Sequence, residues 1–383
     1  MEALRTAAGE RLLAELAARP EADLLATITA LRTRYDAGLV AAAVTQVRLR
    51  ARARAKFGAD ADRMFFTADG VEQATRADVA ARHAARFAAA GATRVLDLCC
   101  GIGGDLLAVA RAGLDVTGVD RDPAAVEAAR ANLAVLGLAG TVRVAEASVE
   151  PGWPAAWADP SRRRGGRRVF DPRAYSPPLS FVEELAAAVP LTGAKVAPGI
   201  PHDAVPDGAE AEWVSVGGEV KEAALWFGPL ATATRRATVL PAGATLVDSG
   251  LGAPPVGPPG EWLYEPDGAV IRAGLVGEVV AALPGGRLVD PTIAYVAADG
   301  PAATPYARGY RVTDVLPFSL ARLRALLRSR GVGRVTVKKR GSAVDVQALR
   351  RDLRLSGPAE ATVVLTRLAG APTVLLCDPF TRL

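Results

Sequence analysis

Between residues 92 and about 240, short apolar runs alternate with stretches whose apolar residues recur every three or four positions. The runs suit strands buried on both faces, and the periodic stretches suit helices packed on them. The segment therefore predicts a mostly parallel sheet built from βαβ units. The first strand is expected at 94–98 with its helix at 105–112, and the second at 115–120 with its helix at 123–136. Asp122 before Pro123 is a helix start, because the carboxylate can cap the first free amides and the ring presets the first helical φ. A third strand falls at 141–144, a fourth within 153–158, a helix at 181–189 and a strand at 194–197. Residues 213–216 and 223–227 pattern as the antiparallel hairpin that would close such a sheet, with Trp213 and Glu222 as structural members.

Residues 1–90 predict helices, with Leu12, Leu13 and Leu16, then Leu24, Leu25, Ile28 and Leu31, at helical spacing. The pattern continues over 39–56, where Arg48, Arg50, Arg52, Arg54 and Lys56 are spaced by two and so spread around the cylinder. They form either a solvated face or a contact for a polyanion. Residues 249–260, rich in proline and glycine, have the composition of a linker. Residues 261–383 predict an α+β domain, with a helix at 316–329 and strands at 334–338, 361–365 and 373–376. The expected organisation is a helical region 1–90, an α/β domain 91–248, a linker 249–260 and a C-terminal domain 261–383, with no internal repeat.

Half of the 383 residues are hydrophobic, enough for a large core, yet no apolar run has the length of a membrane span. The first residues pattern as an amphipathic helix in place of a signal peptide. The cysteines Cys99, Cys100 and Cys377 offer no metal-binding spacing, and an adjacent pair is poor disulfide material. A reduced, cytoplasmic setting without a metal site is expected. The net charge is +5, and arginine supplies 41 of the 46 cationic residues. A GC-rich genome explains most of that bias, so the position of charge says more than its total.

The candidate chemistry starts at Asp97-Leu98-Cys99-Cys100-Gly101-Ile102-Gly103-Gly104-Asp105. An apolar run feeds a glycine turn, a helix follows, and a second apolar run ends in Asp120, nineteen residues after Gly101. This is a βαβ nucleotide-binding pattern: glycines let the backbone pass close to a ligand, and the terminal acid can accept both hydroxyls of a ribose. Asp97 and Asp105 frame the turn. Negative side chains there would repel a pyrophosphate but suit a sulfonium and an α-ammonium. By its resemblance to the glycine-rich motif of class I S-adenosylmethionine-dependent methyltransferases, the turn implies Asp97 orienting the amino group, Gly101 and Gly103 facing the methionine and ribose portions, and Asp120 with neighbouring Arg121 lining the ribose. Cys99 and Cys100 pattern as small packing residues, Cys99 against the ligand. Beyond the third strand, Glu146 and Ser148 both fall where an adenine contact is expected, with Glu146 favoured.

The pattern resembles the glycine-rich motif of class I S-adenosylmethionine-dependent methyltransferases. The resemblance implies a Rossmann-like sheet and S-adenosylmethionine as cofactor. Asp159-Pro160-Ser161-Arg162 is similar to the (Asp/Asn/Ser)-Pro-Pro-aromatic motif of methyltransferases acting on exocyclic base amines, with Ser161 for the second proline and Arg162 for the aromatic residue. That implies catalytic roles for Asp159 and Pro160, with the Arg162 guanidinium stacking a base. Asp-Pro-x-Arg also occurs in uracil-C5 RNA methyltransferases, but those need a downstream cysteine, and none stands between Cys100 and Cys377. Arg162, Arg163 and the arginines to Arg168 suit phosphates or a solvated loop, Tyr175 suits a base platform, and His202 lies near the same edge. Residues 64–76 resemble the segment before the first motif in trimethylguanosine synthase-like RNA guanine-N2 methyltransferases, with Thr75 at a cofactor contact. The layout as a whole resembles bacterial methyltransferases ending in a THUMP-like domain, a module that implies RNA binding. Arg324, Arg328, Arg330, Arg334, Lys338, Lys339 and Arg340 form a basic cluster in that tail. The reading is methyl transfer to an exocyclic base amine of tRNA or rRNA. The alternatives are a protein or small-molecule methyltransferase, or a non-catalytic RNA-binding protein on the same fold.

Overall fold

A computed structural model describes residues 1–18, 24–164, 167–169 and 171–379. Gly165, Gly166 and Phe170 of the arginine loop lie outside the described residues. The chain divides into two compact units, Met1–Glu210 with Ala223–Thr232, and Ala211–Glu222 with Ala233–Leu383.

The first unit opens with helices α1 (Ala7–Ala17), α2 (Leu24–Leu31), α3 (Ala37–Phe57), α4 (Ala68–Gln73) and α5 (Ala77–Ala89). The βα alternation follows: β1 (Arg94–Leu98), α6 (Gly104–Arg111), β2 (Asp115–Asp120), α7 (Pro123–Leu136), β3 (Thr141–Val144), β4 (Ala155–Ala158), a two-residue pair β5 (Arg163–Arg164) and β6 (Arg167–Arg168), α8 (Leu179–Ala188) and β7 (Leu191–Val196). Local chemistry sets the boundaries. Asp122 caps α7 by accepting from the Ala124 amide at 2.9 Å, with Pro123 in the first turn and Gly137 at φ 67° ending the helix. The strands lie in the order β7-β4-β1-β2-β3, all parallel. The order reverses between β1 and β4. Open parallel sheets bind ligands at such a switch point, outside the carboxyl ends of the strands.

The α5 face carries His83 and Phe87 onto Trp157 of β4 and Trp226, with His83 and Trp157 centroids 4.2 Å apart and the two tryptophans 5.4 Å apart. Gly193 on β7 makes room for them: a Cβ there would lie 2.6 Å from Trp226 and 2.8 Å from Trp157.

Residues 58–76 form a strap joining α3 to α5. The Gln46 side chain bonds both the carbonyl and the amide of Phe66 (2.7 and 3.0 Å), and buried Asn132 bonds Phe65 and the Ile102 carbonyl. Arg50 donates to the Met64 and Arg63 carbonyls, Arg54 pairs with Asp62, and Lys56 donates to the Glu72 and Ala74 carbonyls at 2.6 and 2.7 Å. Arg50 and Lys56 are therefore internal fasteners, whereas Arg48, Arg52 and Arg54 stay exposed, the last two paired with Glu72 and Asp62.

Strands β8 (Glu210–Val216) and β9 (Glu219–Trp226) are joined by Gly217 and Gly218, both at positive φ, and the second unit takes Ala211–Glu222 of this hairpin. Strands β10 (Arg235–Leu240) and β11 (Ala244–Val247) follow, β10 parallel to β8 and antiparallel to β11. Its second sheet has the order β13-β14-β12-β15-β18-β17-β16, from β12 (Trp262–Pro266), β13 (Arg287–Asp290), β14 (Ile293–Ala298), β15 (Ala307–Pro317), β16 (Val332–Lys339), β17 (Ala359–Leu368) and β18 (Ala371–Cys377). Helices α9 (Gly268–Arg272), α10 (Val276–Ala282), α11 (Leu320–Ser329) and α12 (Val346–Leu353) complete it. The helix expected from 316 starts only at Leu320, because Ser319 caps it through the Arg322 amide. The stretch 249–260 is tied down within this unit: Ser249 bonds Glu278, and Gly257 and Leu288 exchange backbone bonds with their neighbours across Val256.

Because the Trp157–Trp226 contact fills the space above Gly193, Gly193→Ala should destabilise the protein by about 1–3 kcal/mol through overpacking. A lowered urea midpoint is the expected readout, and an unchanged midpoint would contradict the packing described.

Candidate active site

At the end of β1 the chain turns through Cys99 (φ 60°), Gly101 (φ 55°) and Gly103 (φ 93°) before entering α6. Left-handed backbone costs a non-glycine residue of order 1–3 kcal/mol, so Cys99 marks local strain of the kind that clusters at ligand sites. A cavity of about 480 Å³ opens on this turn, a volume suited to a nucleoside-sized ligand. Asp97, Cys99, Gly101, Gly104 and Asp105 form one wall. The end of β2 contributes Asp120 and Arg121, and the end of β4 contributes Asp159, Pro160, Ser161 and Arg162. Strap residues 67–75, with Thr75, cover it, and Lys195 of β7 reaches in.

The structure thus brings Asp97, Cys99, Gly101, Asp120, Arg121, Thr75, Asp159, Pro160 and Arg162 to one cavity. It places other candidates elsewhere. Gly103 faces α7, where its missing Cβ would sit 3.3 Å from Leu106 and 3.5 Å from Ala129, so it packs the turn and Gly104 borders the cavity in its stead. Glu146 and Ser148 are exposed and do not line the cavity; Ser148 faces Glu150 at 3.4 Å. Tyr175 is only 4% exposed and its hydroxyl accepts from the Ala197 amide at 3.3 Å, so it anchors the loop and offers no open ring for a base. His202 is exposed on a short helical turn off the cavity. The side chain of Arg163 lies outside the described residues.

Electrostatics distinguish the four carboxylates. Asp120 accepts from the amides of Gly101 and Asp122, each at 2.9 Å, which fixes its orientation at the cavity edge. Burial pushes Asp105 up, but the His83 hydrogen bond at 2.7 Å, the His83 charge, Lys195 and Thr75 hold it below the usual carboxylate range. Burial also raises Asp159; the Lys195 ammonium, 2.8 Å from Oδ2, opposes this without cancelling it. Asp97 is 1% exposed, and among the described residues neither oxygen makes a side-chain hydrogen bond or an ion pair. Burial, then the charges of Asp105, Asp159 and Asp120, push it well above the usual range, and the Leu106 backbone offsets only part. Burial likewise raises Cys99 and Cys100, so neither thiol is disposed to act as a thiolate nucleophile.

Sequence reasoning missed Lys195, Lys56 and His83. Lys195 is 4% exposed and donates to Asp159, to Thr75 at 3.0 Å and to the Gln73 carbonyl at 3.3 Å. Its signal was visible: a lysine, one of five in the chain, inside the apolar run Leu191–Val196. Burial, with the charges of Lys195 and Arg76, brings Lys56 down to about 8.

A parallel sheet, a glycine turn and an acid at the end of the second strand define an α/β domain built to hold an adenosyl ligand. The comparisons extend this. A methyltransferase domain model matches residues 95–158, a THUMP domain-like model residues 307–379, and a domain of unknown function residues 1–53. Uncharacterized S-adenosylmethionine-dependent methyltransferases of two Mycobacterium tuberculosis strains are 36% identical, covering 86% of this chain and 95% of theirs. A Porphyromonas gingivalis W83 crystal structure, described as a candidate methyltransferase, superposes with a TM-score of 0.74 at 21% identity, covering 90% of this chain and 92% of that one. The chain belongs to the class I S-adenosylmethionine-dependent methyltransferases with a C-terminal THUMP-like domain. Among the described residues no helix is long and apolar enough to cross a membrane.

The residues fit the cofactor. The Asp97 oxygens, without a cationic or side-chain donor among the described residues, could take an α-ammonium, and Asp120, held at the cavity edge by two amides, could accept from a ribose diol. A carboxyl with an elevated pKa must lose its proton to meet a cation. Binding of S-adenosylhomocysteine should therefore release protons in mildly acidic buffer and weaken as pH falls. Calorimetry in buffers of different ionisation enthalpy measures this, and Asp97→Asn should abolish the release and cost at least about tenfold in affinity. Without ligand the sign reverses. A raised carboxyl pKa contributes stability that is full at low pH and lost as pH rises through it, so Asp97→Asn should raise the thermal midpoint on the alkaline side. A midpoint that falls there would contradict the electrostatic reading.

Proposed function

We propose that the protein methylates an exocyclic amine of a base in RNA. One observation carries the reading: Asp159, from the strand next to β1, lines the same cavity as Asp97 and Asp120 and, among the described residues, commits only Oδ2 to the protein. Oδ1 is therefore available to accept an N–H from an acceptor. The turn that carries it is braced, with Ser161 and Ser176 exchanging backbone bonds at 2.9 and 3.0 Å. Arg162 lines the cavity, and among the described residues one of its terminal nitrogens is buried without a partner, which suits a base edge or a phosphate.

S-adenosylmethionine, when bound, would supply a sulfonium-bound methyl group to the amine nitrogen, the N–C bond forming as the S–C bond breaks and S-adenosylhomocysteine leaving as the neutral thioether. The residues of the chain contribute alignment. Asp97 and Asp120 hold opposite ends of the donor, and Asp159 directs the amine lone pair by accepting one of its hydrogens and afterwards receives the proton. Positioning of this kind can supply roughly 7–11 kcal/mol.

The THUMP-like region supports RNA as the macromolecule, but through fewer cations than the sequence cluster offered. Arg330 pairs with Asp314, Arg334 with Glu360, and Lys338 and Arg340 with Glu265. Arg324, Arg328 and Lys339 bond backbone carbonyls. Arg322 on α11 and Arg350 and Arg351 on α12 are exposed and form no ion pair among the described residues. These are the phosphate contacts we favour.

Nucleoside mass spectrometry of RNA from a strain lacking the gene should show loss of one N-methylated base, restored by the wild-type protein in vitro. Asp159→Ala should fail to restore it while binding S-adenosylhomocysteine within about threefold of wild type; loss of that binding instead would unseat Asp159 from the acceptor side. Charge reversal at Arg350 and Arg351 should weaken RNA binding and flatten its salt dependence by about 1–2 units of slope. An unchanged slope would place the RNA elsewhere.

A further inference from the structure

Six consecutive residues of β7 are buried, and Lys195 is the charged one among them. An ammonium withdrawn from water costs several kcal/mol unless paired and hydrogen-bonded, so its partners show what it is kept for. They come from two sides of the cavity: Asp159 Oδ2 at 2.8 Å after β4, and Thr75 Oγ1 at 3.0 Å with the Gln73 carbonyl at 3.3 Å on the strap. An ammonium has three hydrogens and no acceptor lone pair, so Lys195 in this state cannot be the base. What it can do is hold one oxygen of Asp159 and leave the other to the cavity.

We propose that Lys195 is a positioning residue for methyl transfer: clasped by the strap, it fixes the Asp159 carboxylate with Oδ2 occupied and Oδ1 presented to the acceptor amine. This rests on the reading of Asp159 as the group that receives the amine. It also joins the two halves of the site, because Thr75, which Lys195 binds, is in turn a hydrogen-bond partner of Asp105 on the cofactor turn. The charged groups around Asp159 are Asp97 and Asp105 from the cofactor turn, His83 on Asp105, Asp120 at the β2 end, Lys56 behind the strap and Arg162 on the acceptor turn. The carboxylates among them disfavour a second negative charge, and Lys195 is the cation in direct contact with it. Without the ammonium, Asp159 would keep its proton to a higher pH and, while protonated, offer the amine an O–H where an acceptor is needed. Raising the pH would restore the acceptor.

The test compares wild type, Lys195→Gln and Lys195→Arg as full-length proteins saturated with S-adenosylhomocysteine. Lys195→Gln keeps a donor for the strap but removes the charge, and Lys195→Met serves the same comparison should it not fold. Aspartate carboxyl carbons labelled with ¹³C report ionisation, the Asp159 signal being the one lost in Asp159→Asn. The neutral variant should titrate at least about one pH unit higher than wild type, with Lys195→Arg restoring the wild-type value. With RNA from the deletion strain as acceptor, the acid limb of kcat should move up by the same amount, activity returning at alkaline pH. An Asp159 titration unmoved by loss of the charge overturns the proposal, and so does a kcat lowered equally at every pH. If wild type methylates none of that RNA, the substrate reading fails, while the carboxyl titration still decides the role of Lys195.

Discussion

Four carboxylates, Asp97, Asp105, Asp120 and Asp159, meet at one cavity at the carboxyl ends of β1, β2 and β4, and their mutual repulsion is the constraint around which the first unit is organised. Three of them are answered by the protein. Asp105 has His83, Asp159 has Lys195, and Asp120 has two backbone amides. Asp97, the most buried of the quartet, has no cation or side-chain donor among the described residues and only the Leu106 backbone to offset its charge. We propose that this buried negative charge receives the cationic end of an adenosylated amino acid. A fold selected for stability alone would not leave a bare carboxyl there; a site that binds a cation keeps one and accepts the destabilisation.

The neutralising groups depend on packing far from the cavity. His83 reaches Asp105 because α5 is pinned by an aromatic cluster with Trp157 and Trp226, and that cluster closes only because Gly193 carries no side chain. Lys195 leaves the same strand two residues later, so one strand shapes both the hydrophobic floor and the acceptor side. The strap is fixed by Gln46, Arg50 and Lys56 of α3 and by Asn132 of α7. The helical region at the start of the chain thus acts on the site, holding Thr75 and Gln73 where Lys195 can bind them.

Much of the sheet was legible because its signals are local. The strands at Arg94–Leu98, Asp115–Asp120 and Thr141–Val144 and the helix at Pro123–Leu136 fall where the apolar runs, Asp122, Pro123 and the glycines put them. Asp97, Asp120 and Asp159 could be picked out because each ends a strand. The second unit was harder. β15 alternates exposed and half-buried positions from Arg311 to Pro317, and its last residues, including Leu316, blur into the helix that begins at Leu320. The stretch 249–260 has linker composition but is paired to Glu278 and Leu288, partners that composition does not show. Partnership across the chain is also why the arginine clusters misled: Arg334 is answered by Glu360, and Lys338 by Glu265. Tyr175 was read from its neighbourhood in sequence, and only the fold shows it turned inward toward Ala197. The bond from Lys195 to Thr75 spans 120 positions, beyond any local pattern.

The central claim is a placement of charge, and a crystal structure of the protein with S-adenosylhomocysteine tests it most directly. The account predicts the ligand ammonium within hydrogen-bond distance of the Asp97 carboxylate, the ribose hydroxyls on Asp120, and the sulfur facing Asp159 across the cavity. A ligand bound with its ammonium away from Asp97, or outside this cavity altogether, would contradict it.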